Sequence, residues 1–385
     1  MKYEQMEKES KKMVILDVKL DNFYSFKNFH MNLTYPKKIV GSSIANEHLL
    51  ERPNFRYKKV NIIMGANASG KTTLGRALMK IFNFIDNKNY EIITRMIGNN
   101  AQEASFSLDM ASGNNMLYRI ICKIAPCTEE DKYTVENLSI EVRYEKIRVT
   151  DSYESCVERL ELQPHSLTVN YLEELDKIEA LDWMFEYPED TARKLRLPGE
   201  DPKFLKVLEN ILKSLDPSIQ RVEASKEIKN TYIVRLEKKD VLLQDGEAFT
   251  TDILSSGTKA GVEVAYVISK LIQKRNTFYY CDEKFPYIHT DIEQAILSLM
   301  IQSIQDNAQF FFTTHNTDIL DMNLPKHSFI FLKKNNNNSE MPIECISAAS
   351  LLKRNTDSLK NAVENDLFCT SPSVELIYDI SEIQL

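Results

Sequence analysis

Hydrophobic and polar positions change their period several times along the 385 residues. The first twelve are dominated by charge and predict a frayed start. From 14 to 35 apolar and polar side chains alternate, the period of half-buried strands. Residues 41–58 read as a polar loop. Val60–Met64 is an apolar run of strand length, and behind it Leu74, Ala77, Leu78, Ile81 and Phe82 stand at helical spacing. Ala104–Leu108, Met116–Cys122 and Leu138–Tyr144 alternate again and predict an antiparallel β-layer. Between 151 and 218 the period turns helical, in Glu173–Met184 and Pro202–Leu215, with Trp183 as a packing residue of the first stretch. A strand over Tyr232–Leu236, a turn at Gln244–Glu247 and an amphipathic helix over Val262–Ile272 follow. Thr277–Cys281 and Gln309–Thr313 are bulky runs of the buried-strand kind, and Lys333–Ser339 reads as a polar hairpin tip. This order predicts an α/β fold with lobes at 1–150 and 219–346, a helical insertion at 151–218 and a tail at 347–385.

Composition narrows the classes. The chain is 43% hydrophobic and 27% charged, a soluble globular balance rather than a disordered one. Lys and Arg number 48 against 56 Asp and Glu, a net charge of −8, so a strongly basic nucleic-acid-coating protein is excluded but a local basic groove is not. Arg56, Lys58, Lys59, Lys333 and Lys334 are the candidates for phosphate-backbone contact, beside the plainer reading of ordinary surface charge. No apolar run approaches the ~20 residues that span a bilayer, and the charged start lacks a secretory pattern, so a cytoplasmic protein with no membrane partner is expected. The six cysteines show no two-residue gap of the zinc or redox kind and are expected to be small buried hydrophobes.

Glycine changes the picture most. There are only ten, yet Gly65, Gly70, Gly75, Gly257 and Gly261 fall in two short stretches. The first, Gly65-Ala-Asn-Ala-Ser-Gly-Lys-Thr72, fits the P-loop pattern G-x-x-x-x-G-K-[ST] between a strand and a helix. Backbone N–H groups of such a loop cradle phosphate oxygens, and the helix N-terminus adds its positive end. Gly65, Asn67, Ser69, Gly70, Lys71, Thr72 and Thr73 are therefore candidate ATP-binding residues, with Lys71 reaching the β/γ-phosphates and the Thr72 hydroxyl on Mg²⁺. The second stretch, Leu254-Ser-Ser-Gly-Thr-Lys-Ala-Gly261, reads by itself as a helix N-cap. Sixteen residues on, the run from Thr277 ends in Asp282-Glu283: one acid suited to the Mg²⁺ shell, the next to polarising a water. The run from Gln309 ends in Thr313-Thr-His315.

These motifs, in this order, resemble the ABC-type ATPases. Leu254–Thr258 is similar to their signature loop, with Ser255, Ser256 and Gly257 as its nucleotide-facing residues. Asp282-Glu283 is similar to Walker B, and His315 to the switch histidine that senses the γ-phosphate. Leu20–Phe29 resembles the first strand and turn of SMC-like and OLD-like ATPases, and Phe285-Pro-Tyr-Ile-His289 resembles the Leu-His-Pro stretch of the OLD-like branch. The resemblance covers roughly 14–120 and 235–345. It implies a P-loop NTPase head of mixed core sheet, flanking helices and antiparallel β-layer with a short helical insertion. It further implies ATP and Mg²⁺ as cofactors, Lys71, Glu283 and His315 as catalytic residues, Thr72 and Asp282 as metal ligands, and a homodimer or higher oligomer with composite sites. For the branch it implies an abortive-infection or PARIS-like subunit of an anti-phage system, acting on a separate effector such as a TOPRIM nuclease, with direct nucleic-acid contact left open.

The pattern also departs from the family. Tyr24 stands where SMC-like members often carry Arg, Thr258 replaces the signature Gln or Glu, and Gln163 and Gln102 are candidates for the Q-loop glutamine, neither in a distinctive context. Two other classes stand beside this reading: the ATP-binding subunit of a transporter, against which the Gln-less signature and the missing transporter D-loop speak and which co-purification with a membrane protein would revive, and a scaffold that binds ATP without turnover, against which Glu283 speaks. The chain shows neither a TOPRIM acid pair nor a His-Asn-His pattern, so any cutting is expected from another polypeptide.

Overall fold

A computed structural model describes residues 12–127, 132–164, 166–187, 195–198, 201–247, 254–274, 276–285, 288–335, 338–354 and 357–369. They divide into two compact units: Met1–Asp182 with Phe311–Leu385, and Trp183–Phe310.

In the first unit, β1 (Met13–Asp21), β2 (Phe29–Asn32), β6 (Ala104–Ser112), β7 (Met116–Ile124) and β8 (Leu138–Lys146) form one antiparallel sheet in the order β2-β1-β6-β7-β8. The expected β-layer is there. Its register explains the alternation: Leu20, Phe106, Cys122 and Ile140 lie opposite one another across four strands, as do Val18, Leu108, Ile120 and Val142. All eight are buried. On the other face Asp109 stands opposite Arg119, whose Nε donates to its carboxylate at 2.7 Å. A helix, α2 (Tyr153–Glu161), covers that face; Tyr153 donates to Asp109 at 2.7 Å, and Ser152 caps the helix by accepting from the Ser155 N–H. Val14, Leu16, Leu49, Phe55, Tyr57, Ala111, Leu117, Tyr153, Cys156 and Leu160 form the core between them. Each full burial of this kind is worth about 1.5–3 kcal/mol. The segment 41–58 is not the plain loop expected: β3 (His48–Leu49) and β4 (Arg52–Arg56) pair within it, because Leu49, Phe55 and Tyr57 belong to this core.

The same unit carries β5 (Val60–Met64), buried at every residue, with β15 (Phe329–Lys334) parallel beside it and β16 (Ile343–Ser347) antiparallel beyond. A strand covered on both faces reads as a continuous apolar run, which is why β5 does not alternate. Helix α1 (Lys71–Asn87) follows; Leu74, Ala77, Leu78, Ile81, Phe82 and Ile85 are its buried stripe, and Lys88 in the left-handed region (φ 52°) ends it.

The second unit holds β9 (Trp183–Glu186) parallel to β13 (Phe278–Asp282), and the antiparallel sheet β10 (Ile219–Ala224), β11 (Thr231–Leu236) and β12 (Asp240–Gln244). Its helices are α3 (Pro202–Leu215), α4 (Ser256–Ile272) and α5 (Thr290–Ser303). Where α3 meets α4, a Cβ on Gly261 would lie 2.4 Å from Leu215 Cδ1, so this glycine permits the close approach. β14 (Gln309–Thr313) runs from this unit into the first. One expectation fails here. Glu173–Met184 is not a helix: only Tyr171–Leu175 is helical, and Trp183 opens strand β9. The aromatic run is recruited by β13, with Phe185 within 5.4 Å of the Phe278 ring and 5.7 Å of Tyr280, so tertiary pairing overrides local period. Trp183 packs on Phe185 at 5.5 Å, the packing role expected of it.

Three cysteines, Cys122, Cys156 and Cys281, are the buried hydrophobes expected; Cys127 and Cys345 are half-buried and Cys369 is exposed. No described helix is long and apolar enough to cross a membrane.

Candidate functional site

The glycine loop after β5 takes the shape its sequence demands. A Cβ on Gly65 would sit 2.4 Å from the Leu332 carbonyl oxygen and 2.6 Å from Ser69 Oγ, so no larger residue fits. Gly70 caps α1 at φ 103°, a conformation that disfavours side chains, and Ala68 is also left-handed at φ 61°. Ser69 N–H donates to Ala66 C=O at 3.2 Å and closes the turn. Lys71 is 5% exposed and folds back over the loop, donating to the carbonyls of Gly65 (2.9 Å) and Ala66 (3.4 Å).

The decisive feature is the start of α1. Among described helices of nine residues or more, α2, α3, α4 and α5 each receive a side-chain cap, from Ser152, Asp201, Ser255 and His289. Helix α1 has none, and no acid in its first turn. A helix start leaves N–H groups without intrahelical partners and carries positive potential. A phosphate fits such a place, and the Ser69 hydroxyl, buried without a hydrogen-bond partner, lies in the same loop. Thr72, second in the helix, offers a hydroxyl of the kind hard cations accept. His315 belongs to this group. Thr314 N–H donates to Ile63 C=O at 3.1 Å, which brings the residue after it alongside the end of β5, and His315 is exposed there. So the structure gathers Gly65, Asn67, Ser69, Gly70, Lys71, Thr72, Thr73 and His315 in the first unit.

The second unit carries the other two motifs. Ser255 is the N-cap of α4: its Oγ accepts from Thr258 N–H at 3.1 Å and lies 2.7 Å from Thr258 Oγ1. Thr258, the departure from the signature pattern, is buried beneath that cap. Ser256 and Gly257 open the helix, again with no acid in the first turn. Asp282 ends β13 fully buried, and Glu283 follows, partly exposed, at φ 39°.

No protein-family model matches the chain, and no curated protein matches it. Solved structures do. The SmcHead bound to the C-winged helix domain of ScpA is 13% identical, over 88% of this chain and 99% of that one, with a TM-score of 0.50. An Smc head domain with an extended coiled coil, derived from Pyrococcus furiosus and bound to the C-terminal domain of ScpA, is 13% identical over 89% and 98%, with a TM-score of 0.49. The recombination mediator protein RecF is 11% identical over 88% and 99%, with a TM-score of 0.43. The fold is that of an ABC-type P-loop ATPase head.

Several side chains singled out in the sequence can now be placed in this fold. Lys58 and Lys59 are not surface cations: both are buried, donating to Asn32 C=O (2.9 Å) and Ala45 C=O (3.0 Å), and burial lowers the Lys58 pKa. Gln163 donates to Tyr144 C=O and the Glu145 carboxylate, at 3.2 and 2.9 Å. His289 is an exposed N-cap of α5, while Pro286 and Tyr287 of the same stretch lie outside the described residues.

Sequence reasoning missed one group entirely. Lys284, next to Glu283, is buried, with Nζ 3.3 Å from Glu263 Oε2 and 3.5 Å from Glu186 Oε2. Arg196 meets the same carboxylates, Glu186 Oε1 at 2.8 Å and Glu263 Oε2 at 3.1 Å, with its guanidinium over the Tyr266 ring. Burial disfavours the Arg196 charge, but the hydrogen bond and charge of Glu186, then those of Glu263, outweigh it and hold the group above its ordinary value. A signal existed: a glutamate inside the apolar run Val262–Ile272, and a lysine between Glu283 and Phe285.

Proposed function

We propose that this chain is an ATPase of the ABC type that binds ATP with Mg²⁺ and hydrolyses it at sites completed by a second copy. The observation that supports it most is the start of α1: a long helix with no side-chain cap and no first-turn acid, behind a loop whose glycines admit no Cβ. Lys71 would exchange its carbonyl partners for β- and γ-phosphate oxygens, and Thr72 and Asp282 would hold the metal. Bound Mg²⁺ would draw charge from the phosphate oxygens as the terminal phosphoryl leaves. Glu283 would accept the proton of the attacking water, and His315 would hydrogen-bond the γ-phosphate. The order of the motifs along the chain is what assigns Asp282 and Glu283 to the same nucleotide as Lys71. Ser255, Ser256 and Gly257 would face the nucleotide of the partner copy.

The opening strand and the stretch after Glu283 favour the OLD-like branch, and with it a cytoplasmic, sensing or regulatory role in anti-phage defence, with a TOPRIM nuclease or other effector on a separate chain. Mixing Lys71→Ala with Ser255→Glu protein tests the composite site. In the mixed dimer one site carries both lesions and the other neither. Partial ATPase activity is expected to return although each variant alone is inactive. No recovery once heterodimers have formed, together with a Glu283→Gln protein that stays monomeric in saturating ATP by light scattering, would sink the reading.

A further inference from the structure

Glu283 sits between two buried anchors. On one side Asp282 ends β13, and Cys281 is registered opposite Glu186 of β9. On the other, the Lys284 side chain returns to the same Glu186, at 3.5 Å, and donates to the Tyr187 carbonyl at 3.3 Å. The residue between them is held at φ 39°, a region a glutamate occupies only when its surroundings over-determine it. Lys284 also reaches Glu263 of α4, at 3.3 Å. Glu263 is seven residues, about two turns or ~10 Å, from Ser256 at the start of that helix. A two-turn segment of a 17-residue helix is stiff, so a displacement of the Ser255–Gly257 end is carried to Glu263.

Among the described residues, two carboxylates, Glu186 and Glu263, meet two cations, Lys284 and Arg196. Apolar side chains of similar volume would hold the unit together about as well, because a buried ion pair spends most of its attraction on desolvation. What apolar packing cannot supply is a directional link between three elements. β9 gives Glu186, α4 gives Glu263, and the turn after β13 gives Lys284.

We propose that Lys284 and Glu263 are positioning residues that couple the N-terminal end of α4 to the orientation of the Glu283 carboxylate. The inference rests on the ATPase reading. It adds that contact at Ser255–Gly257 sets Glu283 for hydrolysis through Glu263 and Lys284, whereas nucleotide binding at the P-loop does not depend on them.

The test is a double-mutant cycle on the full chain. Glu263→Gln is near-isosteric and removes one charge; Lys284→Met removes the ammonium and keeps the stem. Each is expected to lower kcat by about tenfold or more, with ATP Kd and KM changed less than about twofold. The pair combined is expected to be little worse than the poorer single variant, since both cut the same link. Multiplying losses, or a double variant that regains kcat as charge balance returns, would overturn the coupling. Equal kcat in Glu263→Gln and wild type would overturn it too, while leaving the ATPase reading intact. A wild-type chain that binds ATP but shows no turnover above the Lys71→Ala background removes the ATPase reading itself, and this inference with it.

Discussion

Lys71 and Lys284 are both buried lysines beside a loop proposed above for phosphate chemistry, and the contacts seen for them differ. The Lys71 ammonium lies on the main-chain carbonyls of Gly65 and Ala66. The Lys284 ammonium lies between the carboxylates of Glu186 and Glu263. A carbonyl offers a partial charge, and the loop loses little if the ammonium leaves it for a phosphate oxygen. A carboxylate in a buried setting binds its counterion far more firmly, and removing one partner strands the other. On the proposed ATPase reading, Lys71 would change partners when nucleotide binds and Lys284 would keep its carboxylates. The regions are built accordingly. The loop before α1 is shaped by backbone, through glycines at 65 and 70. The turn after β13 is shaped by side-chain charge.

The comparison breaks first at Lys71. Lys71→Ala is expected to lose ATP turnover completely, with the circular dichroism spectrum unchanged, because no other loop side chain can supply the cation for the β/γ-phosphates. Unchanged ATP affinity by titration calorimetry, with normal hydrolysis, would mean that the ammonium is as fixed in place as that of Lys284.

Glu283→Gln gives the next largest effect. Glu283 is the partly exposed residue of the turn, and the glutamine keeps its length. Single-turnover hydrolysis should slow by about 10²–10⁴-fold, with ATP affinity retained. Single-turnover rates equal to wild type would take the water-polarising role from Glu283 and leave the second region a scaffold.

How far these regions were legible in the sequence follows from how they are built. The shape of the glycine loop was readable because many of its contacts are local: Gly65 to Ser69, Lys71 to Gly65, Ser69 to Ala66. The layer β6-β7-β8 was readable because each strand alternates to present one buried face. Strand β9 was not, since Trp183-Met-Phe-Glu186 is too short to carry a period and becomes a strand only by pairing with β13, almost a hundred residues on. The charge cluster was harder still. Its members stand at 186, 196, 263 and 284, and nothing local marks a lysine as the counterion of two distant glutamates. His315 was legible as a motif, but its place beside β5 came only with the Thr314 to Ile63 hydrogen bond.

The smallest expected effect sharpens the contrast most, and it concerns stability rather than turnover. Lys71 is the first residue of α1, where the helix presents its positive end, so its ammonium meets an unfavourable potential of about 0.3–1 kcal/mol. Against that stand its hydrogen bonds to Gly65 and Ala66, each worth about 1 kcal/mol net and more for a charged donor. Alanine also has the best helix propensity. The two hydrogen bonds together exceed the opposing effects, so Lys71→Ala should lower unfolding free energy without nucleotide by about 1–2 kcal/mol. Urea unfolding measures it directly. The same series with ATP and Mg²⁺ added should separate the proteins: the wild-type midpoint rises with ligand concentration, as it must when only the folded state binds, and the variant midpoint does not. If Lys71→Ala instead lost 3 kcal/mol or more without nucleotide, the size expected for stranding a buried partner, Lys71 would be a structural cation like Lys284 and its carbonyl contacts a fixed part of the fold.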